Sequence, residues 1–115
     1  MVVDLPNATS IGEGAFMGCT NMVAVNLPKI TSIGKNMFKG CASLRVVNAP
    51  KATSIQQYAF MDALDHVGMD TFNVPELQSI GDYAFANSGL VNFSHTNVTT
   101  LGYANYVFGH HFEDL

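Results

Sequence analysis

The chain has 115 residues, a formal net charge of −4 at pH 7, and charged side chains at 12% of its positions. This length allows one domain, and the acidic balance excludes a general nucleic-acid binder, which needs clustered Lys and Arg. The sequence contains no stretch of about 18 apolar residues, so no direct insertion into a membrane is predicted. The first residues also lack the basic and apolar regions of a signal peptide.

A repeated pattern runs along the chain from its N-terminus. Its copies read LPNATSIGEGAFMGC from Leu5, LPKITSIGKNMFKGC from Leu27, APKATSIQQYAFMDA from Ala49 and VPELQSIGDYAFANS from Val74, with a degraded fifth from Thr96. Successive isoleucines are separated by 22, 22 and 25 residues, and a Pro and a Phe keep the same intervals. A period of 22 residues falls within the range of about 20–29 that leucine-rich repeats use.

Each copy predicts the same elements in the same order. A strand comes first, as in Met22–Leu27, where alternation directs Val25 and Leu27 inward and Ala24 and Asn26 outward. The following Pro ends the strand because it has no N–H to donate. A buried Ile comes next, usually followed by a Gly that is predicted to adopt a positive φ in a turn, namely Gly12, Gly34, Gly81 and Gly102. The segment GAF or YAF is then predicted to form one turn of helix that directs its Phe inward.

Such a unit cannot bury its apolar residues alone, but stacked units can. The repeats therefore predict an α/β fold, a right-handed leucine-rich-repeat solenoid of about four to five repeats of about 22 residues. Its parallel sheet is expected on the concave face, and short helices or turns on the convex face. Residues 1–115 are expected to form one such domain, as a fragment of a longer array, because neither end reads as a polar cap. The extra residues within Met61–Gly68 are expected to loop out on the convex edge.

These residues also carry a family resemblance. The consensus (L-P)-x-x-T-S-I-G-x-x-A-F-x-G-C-x-x-L-x-x-V resembles the BspA-like class of leucine-rich repeats, and it covers essentially the whole chain. The resemblance implies a secreted or surface-anchored protein of bacteria or some protozoa, where several members are linked to adhesion to host proteins or other cells. It implies no fixed binding motif, so the ligand does not follow from it.

The outward-facing strand positions are expected to form columns on the concave sheet. The predicted binding residues are Asn26, Asn48, Asn73 and Ser94 in a column that begins at Asp4, Val46, Thr71 and Asn92 in a second that begins at Val2, and Arg45 and Asp70 in a third that begins at Val23. The stacked asparagines are unusual because Asn is depleted in strands. They fit two compatible interpretations: an amide ladder that stabilises the stack, and a neutral, hydrogen-bonding surface for a protein or glycan ligand.

The function favoured by the sequence is a non-catalytic protein-interaction or adhesion module. It would bind a protein or glycan ligand on a host or neighbouring cell through the concave sheet, with no cofactor. The alternative is a structural spacer within a larger protein, with no ligand of its own. No enzyme is predicted, because stacking brings no Ser-His-Asp or Cys-His set together. An uncovered sheet edge with apolar side chains also predicts edge or head-to-tail self-association.

Two cysteines share one repeat position. Cys19 and Cys41 stand where the other copies carry Ala63 and Ser88, so the position requires a small, buried side chain. Two packed free thiols are predicted there. A disulfide between adjacent coils is the alternative, and it would need the two Cα atoms within about 7 Å.

The charges are unevenly placed. All five cations fall in one window without Asp or Glu: Lys29, Lys35, Lys39, Arg45 and Lys51. In a solenoid this window becomes a positive slab, which we interpret as a solvated face or as a docking patch for an acidic partner. No metal site is predicted at the terminal cluster of His110, His111, Glu113 and Asp114. Three sequons would matter in a eukaryotic secretory pathway; they begin at Asn7, Asn92 and Asn97.

Overall fold

The structure is a computed structural model, and it describes residues 1–64, 71–89 and 99–101. The described residues form eight short strands and no helix. This part of the chain therefore contains no helix that could span a membrane. The strands are β1 (Val2–Asp4), β2 (Ala24–Asn26), β3 (Ser32–Ile33), β4 (Val46–Asn48), β5 (Ser54–Ile55), β6 (Thr71–Asn73), β7 (Ser79–Ile80) and β8 (Thr100–Leu101). We number the coils by these strands: β1 belongs to coil 1, β2 and β3 to coil 2, β4 and β5 to coil 3, and β6 and β7 to coil 4.

The strands form two parallel sheets. The asparagine sheet has the order β1-β2-β4-β6, and the serine sheet has the order β3-β5-β7-β8. Each pairing joins equivalent positions of adjacent repeats: Val25 lies beside Val47 in the asparagine sheet, and Ile33 beside Ile55 in the serine sheet. The predicted alternation is confirmed, because Val25 is buried whereas Asn26 is half-buried.

The core between the sheets is a spine of equivalent side chains. Ile33, Ile55 and Ile80 are buried, as stacking predicts. Four Phe rings lie one above another, with centroid distances of 5.7, 5.2 and 5.4 Å between successive rings; in order they are Phe16, Phe38, Phe60 and Phe85. The parallel stacking predicted from the repeat is thus confirmed, and the fold is a parallel β-solenoid.

The predicted helical turn at GAF or YAF, and with it the α/β assignment, is wrong. In coil 3 three overlapping β-turns replace the helix, closed by hydrogen bonds from Ala59 N to Gln56 O (3.3 Å), from Met61 N to Tyr58 O (3.2 Å) and from Ala63 N to Phe60 O (3.1 Å). The third residue of the first and of the last turn, Tyr58 and Asp62, has a positive φ, which a right-handed helix does not allow. Since Phe60 N donates across to coil 4, at Ala84 O (2.7 Å), the backbone groups that a helix would use internally hold the coils together.

The positive φ predicted at the Gly after each Ile is wrong at Gly12, Gly34 and Gly81, and Gly102 lies outside the described residues. Among the described glycines the positive angles belong to Gly14, Gly18 and Gly40, and not to the Gly that directly follows the Ile. At that position Gly81 serves a different purpose. A Cβ built on Gly81 would lie 2.7 Å from Gln57 N of coil 3, so this Gly allows two backbones to approach closely.

The strand predicted over Met22–Leu27 is shorter, because only Ala24–Asn26 pairs as a strand. The serine sheet was not predicted as a sheet. The second half of Met61–Gly68, in which a loop was predicted, lies outside the described residues, as does the fifth copy apart from residues 99–101. The handedness of the solenoid and its origin in a longer array stay predictions.

Candidate functional site

The asparagine sheet carries a continuous ladder of side-chain hydrogen bonds on its outer face. Asn73 Nδ2 donates to Asn48 Oδ1 at 2.7 Å, and Asn48 Nδ2 donates to Asn26 Oδ1 at 2.6 Å. Asn26 Nδ2 in turn donates to Asp4 Oδ1 at 3.0 Å. All three bonds run in one direction along the stack and end on a carboxylate. The predicted amide ladder is confirmed over these four residues, which we call the rungs.

The register of the strands explains this ladder. Parallel pairing places each rung beside its equivalent, about 4.7–4.9 Å away in the hydrogen-bonding direction. A side-chain amide both donates and accepts, so one amide can bond the next without end. An ionised Asp only accepts, and Asp4 therefore suits the last position of the chain of donors. Each amide still has a second N–H and a second acceptor lone pair for another partner.

Apolar residues border the ladder on both sides. Two residues before the rungs of coils 1 to 3, and therefore on the same face of the strand, lie Val2, Ala24 and Val46, which pair in register. Val2 is exposed, and Ala24 and Val46 are half-buried; in coil 4 the equivalent residue is Thr71. Two residues after each rung lie half-buried or exposed prolines, namely Pro6, Pro28, Pro50 and Pro75. Over coils 1 to 3 the outer face is thus a polar stripe between two apolar stripes.

The structure brings together part of the predicted binding set. Asn26, Asn48 and Asn73 join in the ladder, and Val46 pairs with Thr71 in the next column. Arg45 is exposed, and its backbone N–H bonds Val23 O at 2.8 Å. The other predicted residues lie outside the described residues; they are Asp70, Asn92 and Ser94.

The serine sheet carries a second polar ladder that the sequence analysis missed. Ser54 Oγ donates to Ser32 Oγ at 3.0 Å. Gln56 Nε2 lies within hydrogen-bond distance of both, at 3.2 Å from Ser32 Oγ and 3.3 Å from Ser54 Oγ. The signal was present in the repeated T-S-I, but a strand of two residues is too short for alternation to reveal.

A pair of stacked tyrosines lies on the turns, and it was also missed. The rings of Tyr58 and Tyr83 are 5.5 Å apart at an angle of 15°, and Lys39 Nζ lies 5.7 Å from the centroid of the Tyr58 ring. Both tyrosines have a positive φ, at a position that Gly14 and Asn36 fill in coils 1 and 2. The recurrence of YAF in two copies would have placed these rings one above the other.

The cysteines are two free thiols, as predicted. Cys41 is buried, and its Sγ donates to Phe16 O at 3.0 Å. Burial raises the pKa of the Cys41 thiol to about 11, although a bond from the backbone of Cys19 lowers it in part. The thiol is therefore protonated at neutral pH. Because the thiolate is the nucleophile, Cys41 is suited to packing and not to chemistry.

Metal-ligating side chains do not form a cluster in the part of the chain that the structure describes. No group of three His, Cys, Asp or Glu side chains in residues 1–64, 71–89 and 99–101 could hold a metal ion. The terminal cluster lies outside these residues; its members are His110, His111, Glu113 and Asp114. The cations of the basic window are exposed except for Lys39, which is half-buried beside Tyr58.

Comparisons with known proteins agree with this geometry. The T. pallidum leucine rich repeat protein TpLRR is similar over 88% of this chain and 51% of its own, with a TM-score of 0.74 and 27% identity. A leucine-rich repeat protein from Bacteroides ovatus ATCC 8483 is similar over 92% of this chain and 30% of its own, with a TM-score of 0.69 and 22% identity. This chain thus spans about half of the first protein and less than a third of the second. A search of curated proteins finds no match.

A family model points the same way. The model described as BspA type leucine rich repeat region (6 copies) matches residues 2–111. The match covers both the strands of the asparagine sheet and the Phe spine, which are the features that the repeat builds. The chain belongs to the BspA type leucine-rich repeat family.

Proposed function

We propose that the chain is a non-catalytic interaction module that binds a protein or glycan ligand through the outer face of the asparagine sheet. Proteins of this family generally act in protein interaction or as structural elements, and many are surface or secreted proteins. We therefore propose that the chain acts at the cell surface or outside the cell, and that its role is in adhesion. The observation that carries the proposal is the ladder, whose rungs keep spare donors and acceptors on an accessible face.

A spacer without a ligand is the second candidate, and one observation favours it. Each rung between the ends is bonded to both neighbours, and each Phe of the spine stacks on the next. These contacts stabilise the stack whether or not anything binds. A spacer and a binder differ in one respect: a spacer tolerates polar substitutions on the outer face of the sheet wherever they leave the rungs intact, whereas a binder does not.

A substitution beside the ladder tests the proposal better than one within it. Replacing Asn48 would break bonds to both neighbours, so lost binding could reflect lost folding. Val46 lies next to the rungs, is half-buried and takes no part in the ladder. Val46→Arg places a long charged side chain across the face, and Gln56→Arg places the same side chain on the serine sheet as a matched control.

The measurement is capture on an array of extracellular-matrix proteins and glycans, with circular dichroism to verify folding. We expect the unmodified chain and Gln56→Arg to be captured by the same ligand, and Val46→Arg to lose at least ten-fold in affinity, about 1.4 kcal/mol. If Val46→Arg is captured as strongly as the unmodified chain, the outer face of the asparagine sheet is not the binding surface. Absence of capture by all three proteins would favour the spacer.

A further inference from the structure

We propose that the ligand of the asparagine sheet is a neutral, linear polysaccharide of β-linked pyranose units that lies along the solenoid axis, with one sugar unit at each rung. This inference rests on the proposed function. It adds the chemical class of the ligand, its direction on the sheet and its register with the coils.

Spacing distinguishes this ligand from a peptide. A polymer that crosses the strands meets a rung at each strand spacing, about 4.7–4.9 Å. An extended peptide presents groups of one side at every second residue, about 6.6–6.8 Å apart. The spacing of these peptide groups exceeds the spacing of the rungs by about 2 Å. Donor–acceptor distances in a hydrogen bond vary only over about 2.7–3.2 Å, so the second peptide group cannot bond the next rung. An extended β-linked pyranose unit is close in length to one strand spacing, so successive units stay near successive rungs.

Hydrogen-bond chemistry points to hydroxyl groups. The spare groups of Asn26, Asn48 and Asn73 are one N–H donor and one acceptor lone pair on each side chain, and a hydroxyl both donates and accepts. Successive units of an extended β-linked chain present opposite edges, and each edge carries hydroxyls. An amide can serve either edge because it can donate or accept. A group limited to one of these roles could not.

Charge at the rungs themselves favours a neutral polymer over an anionic one. Asp4 is the charged member of the ladder, and it repels sulfate, carboxylate and phosphate groups. The exposed cations Lys29, Arg45 and Lys51 flank the rungs of coils 2 and 3 along the chain but are not among them, so the groups that meet the ligand along the ladder are amides and one carboxylate. A neutral sugar is not repelled, and its hydroxyl can donate to the Asp4 carboxylate in a charge-assisted bond.

The apolar borders of the ladder suit the body of a sugar. A pyranose has polar edges and apolar C–H surfaces. Ala24 and Val46 lie on one side of the rungs, and Pro28 and Pro50 on the other, all half-buried. A chain centred on the rungs therefore places hydroxyls on the amides and C–H groups on apolar atoms. This arrangement repeats in coils 1 to 3, so the binding free energy should grow with each sugar added along them.

The test is a titration with defined oligosaccharides, observed by NMR at the side-chain amide signals of Asn26, Asn48 and Asn73. The probes are cello- and chito-oligosaccharides of two, four and six units, with maltohexaose as an α-linked control of different chain shape. We expect β-linked probes to shift all three signals, and the affinity to rise at least ten-fold from the disaccharide to the tetrasaccharide. Maltohexaose and the Val46→Arg variant should show no such response, whereas Gln56→Arg should behave as the unmodified chain does.

The outcomes separate this inference from the proposed function. An equal response to maltohexaose, or an affinity independent of length, would overturn the register of one sugar per rung. If no oligosaccharide shifts the amide signals while Val46→Arg still blocks capture of a protein ligand, the polysaccharide is wrong and the binding face stands. If neither oligosaccharides nor the array show binding, both proposals are wrong.

Discussion

The environment of Cys41 shows how burial determines the protonation of a single side chain. The thiol lies in the core and donates to the carbonyl of Phe16 in the coil below. Burial is the largest cause of the raised pKa, because a thiolate loses its hydration there. Cys19 at the equivalent place is half-buried. The same repeat position thus gives two thiols with different access to solvent.

A pH dependence of stability follows for Cys41. The folded chain has a thiol pKa of about 11 against an ordinary value of 9.0, so the stabilisation is complete below pH 9 and is lost as the pH rises towards 11. Two pKa units correspond to at most about 2.7 kcal/mol, and we expect about 1–2 kcal/mol. Urea unfolding across this range should show a fall that is absent in Cys41→Ala and retained in Cys19→Ala. Equal falls in both variants would contradict this assignment.

At the scale of elements, the two sheets use different side chains for the same purpose. The rungs of the asparagine sheet are bonded at 2.6, 2.7 and 3.0 Å. In the serine sheet one hydroxyl pair is bonded at 3.0 Å, and Gln56 adds two longer contacts. The amide ladder extends over coils 1 to 4. It therefore has the larger part in keeping the coils in register.

Paired alanine substitutions test this difference. Asn48→Ala removes two ladder bonds and leaves Asn26 and Asn73 without their shared partner. With about 0.5–1.5 kcal/mol for each bond, we expect a loss of about 1–3 kcal/mol in the free energy of unfolding. Ser54→Ala removes exposed contacts in the same coil, and its loss should stay below about 1 kcal/mol. Urea titrations compare the two, and a larger loss for Ser54→Ala would contradict the ranking.

The elements also show how far the sequence alone could lead. The amide ladder was predictable because the repeat interval sets the register, and the register sets which side chains meet. The turns were not, because Tyr58 and Tyr83 adopt a positive φ that favours Gly or Asn and that is uncommon for bulky residues. A pattern such as YAF reads locally as a helix former. The N–H groups of Tyr58 and Phe60 instead bond the neighbouring coil, and no local pattern reveals those partners.

On the scale of the whole molecule, each coil contacts mainly its neighbours. Stability in such an array is approximately a sum of terms for single repeats and for the interfaces between them. A side chain between two coils therefore affects two interfaces, whereas one at the end of the described stack affects one. Phe60 and Phe16 occupy equivalent repeat positions and differ in this respect.

Phe60 should be the more sensitive of the two. It is fully buried, stacks on Phe38 at 5.2 Å and on Phe85 at 5.4 Å, and meets Phe72 edge-on at 5.4 Å. Phe16 is half-buried and stacks on Phe38 at 5.7 Å. We expect Phe60→Ala to lower the free energy of unfolding by about 3–5 kcal/mol. Phe16→Ala should lower it by roughly half as much, since less apolar surface leaves the core.

Hydrogen exchange in the native state shows which interfaces between coils each substitution weakens. The loss in the free energy of unfolding alone does not show this. Loss of Phe60 weakens the interfaces on both of its sides, so amides in coils 2, 3 and 4 should exchange faster together. Loss of Phe16 should accelerate exchange in coil 1 and leave the N–H of Phe60, which bonds Ala84 O, nearly as protected as before. Uniform acceleration in both variants would mean that the stack unfolds as one cooperative unit. The additive account of its interfaces would then be wrong, because a local change would weaken every coil alike.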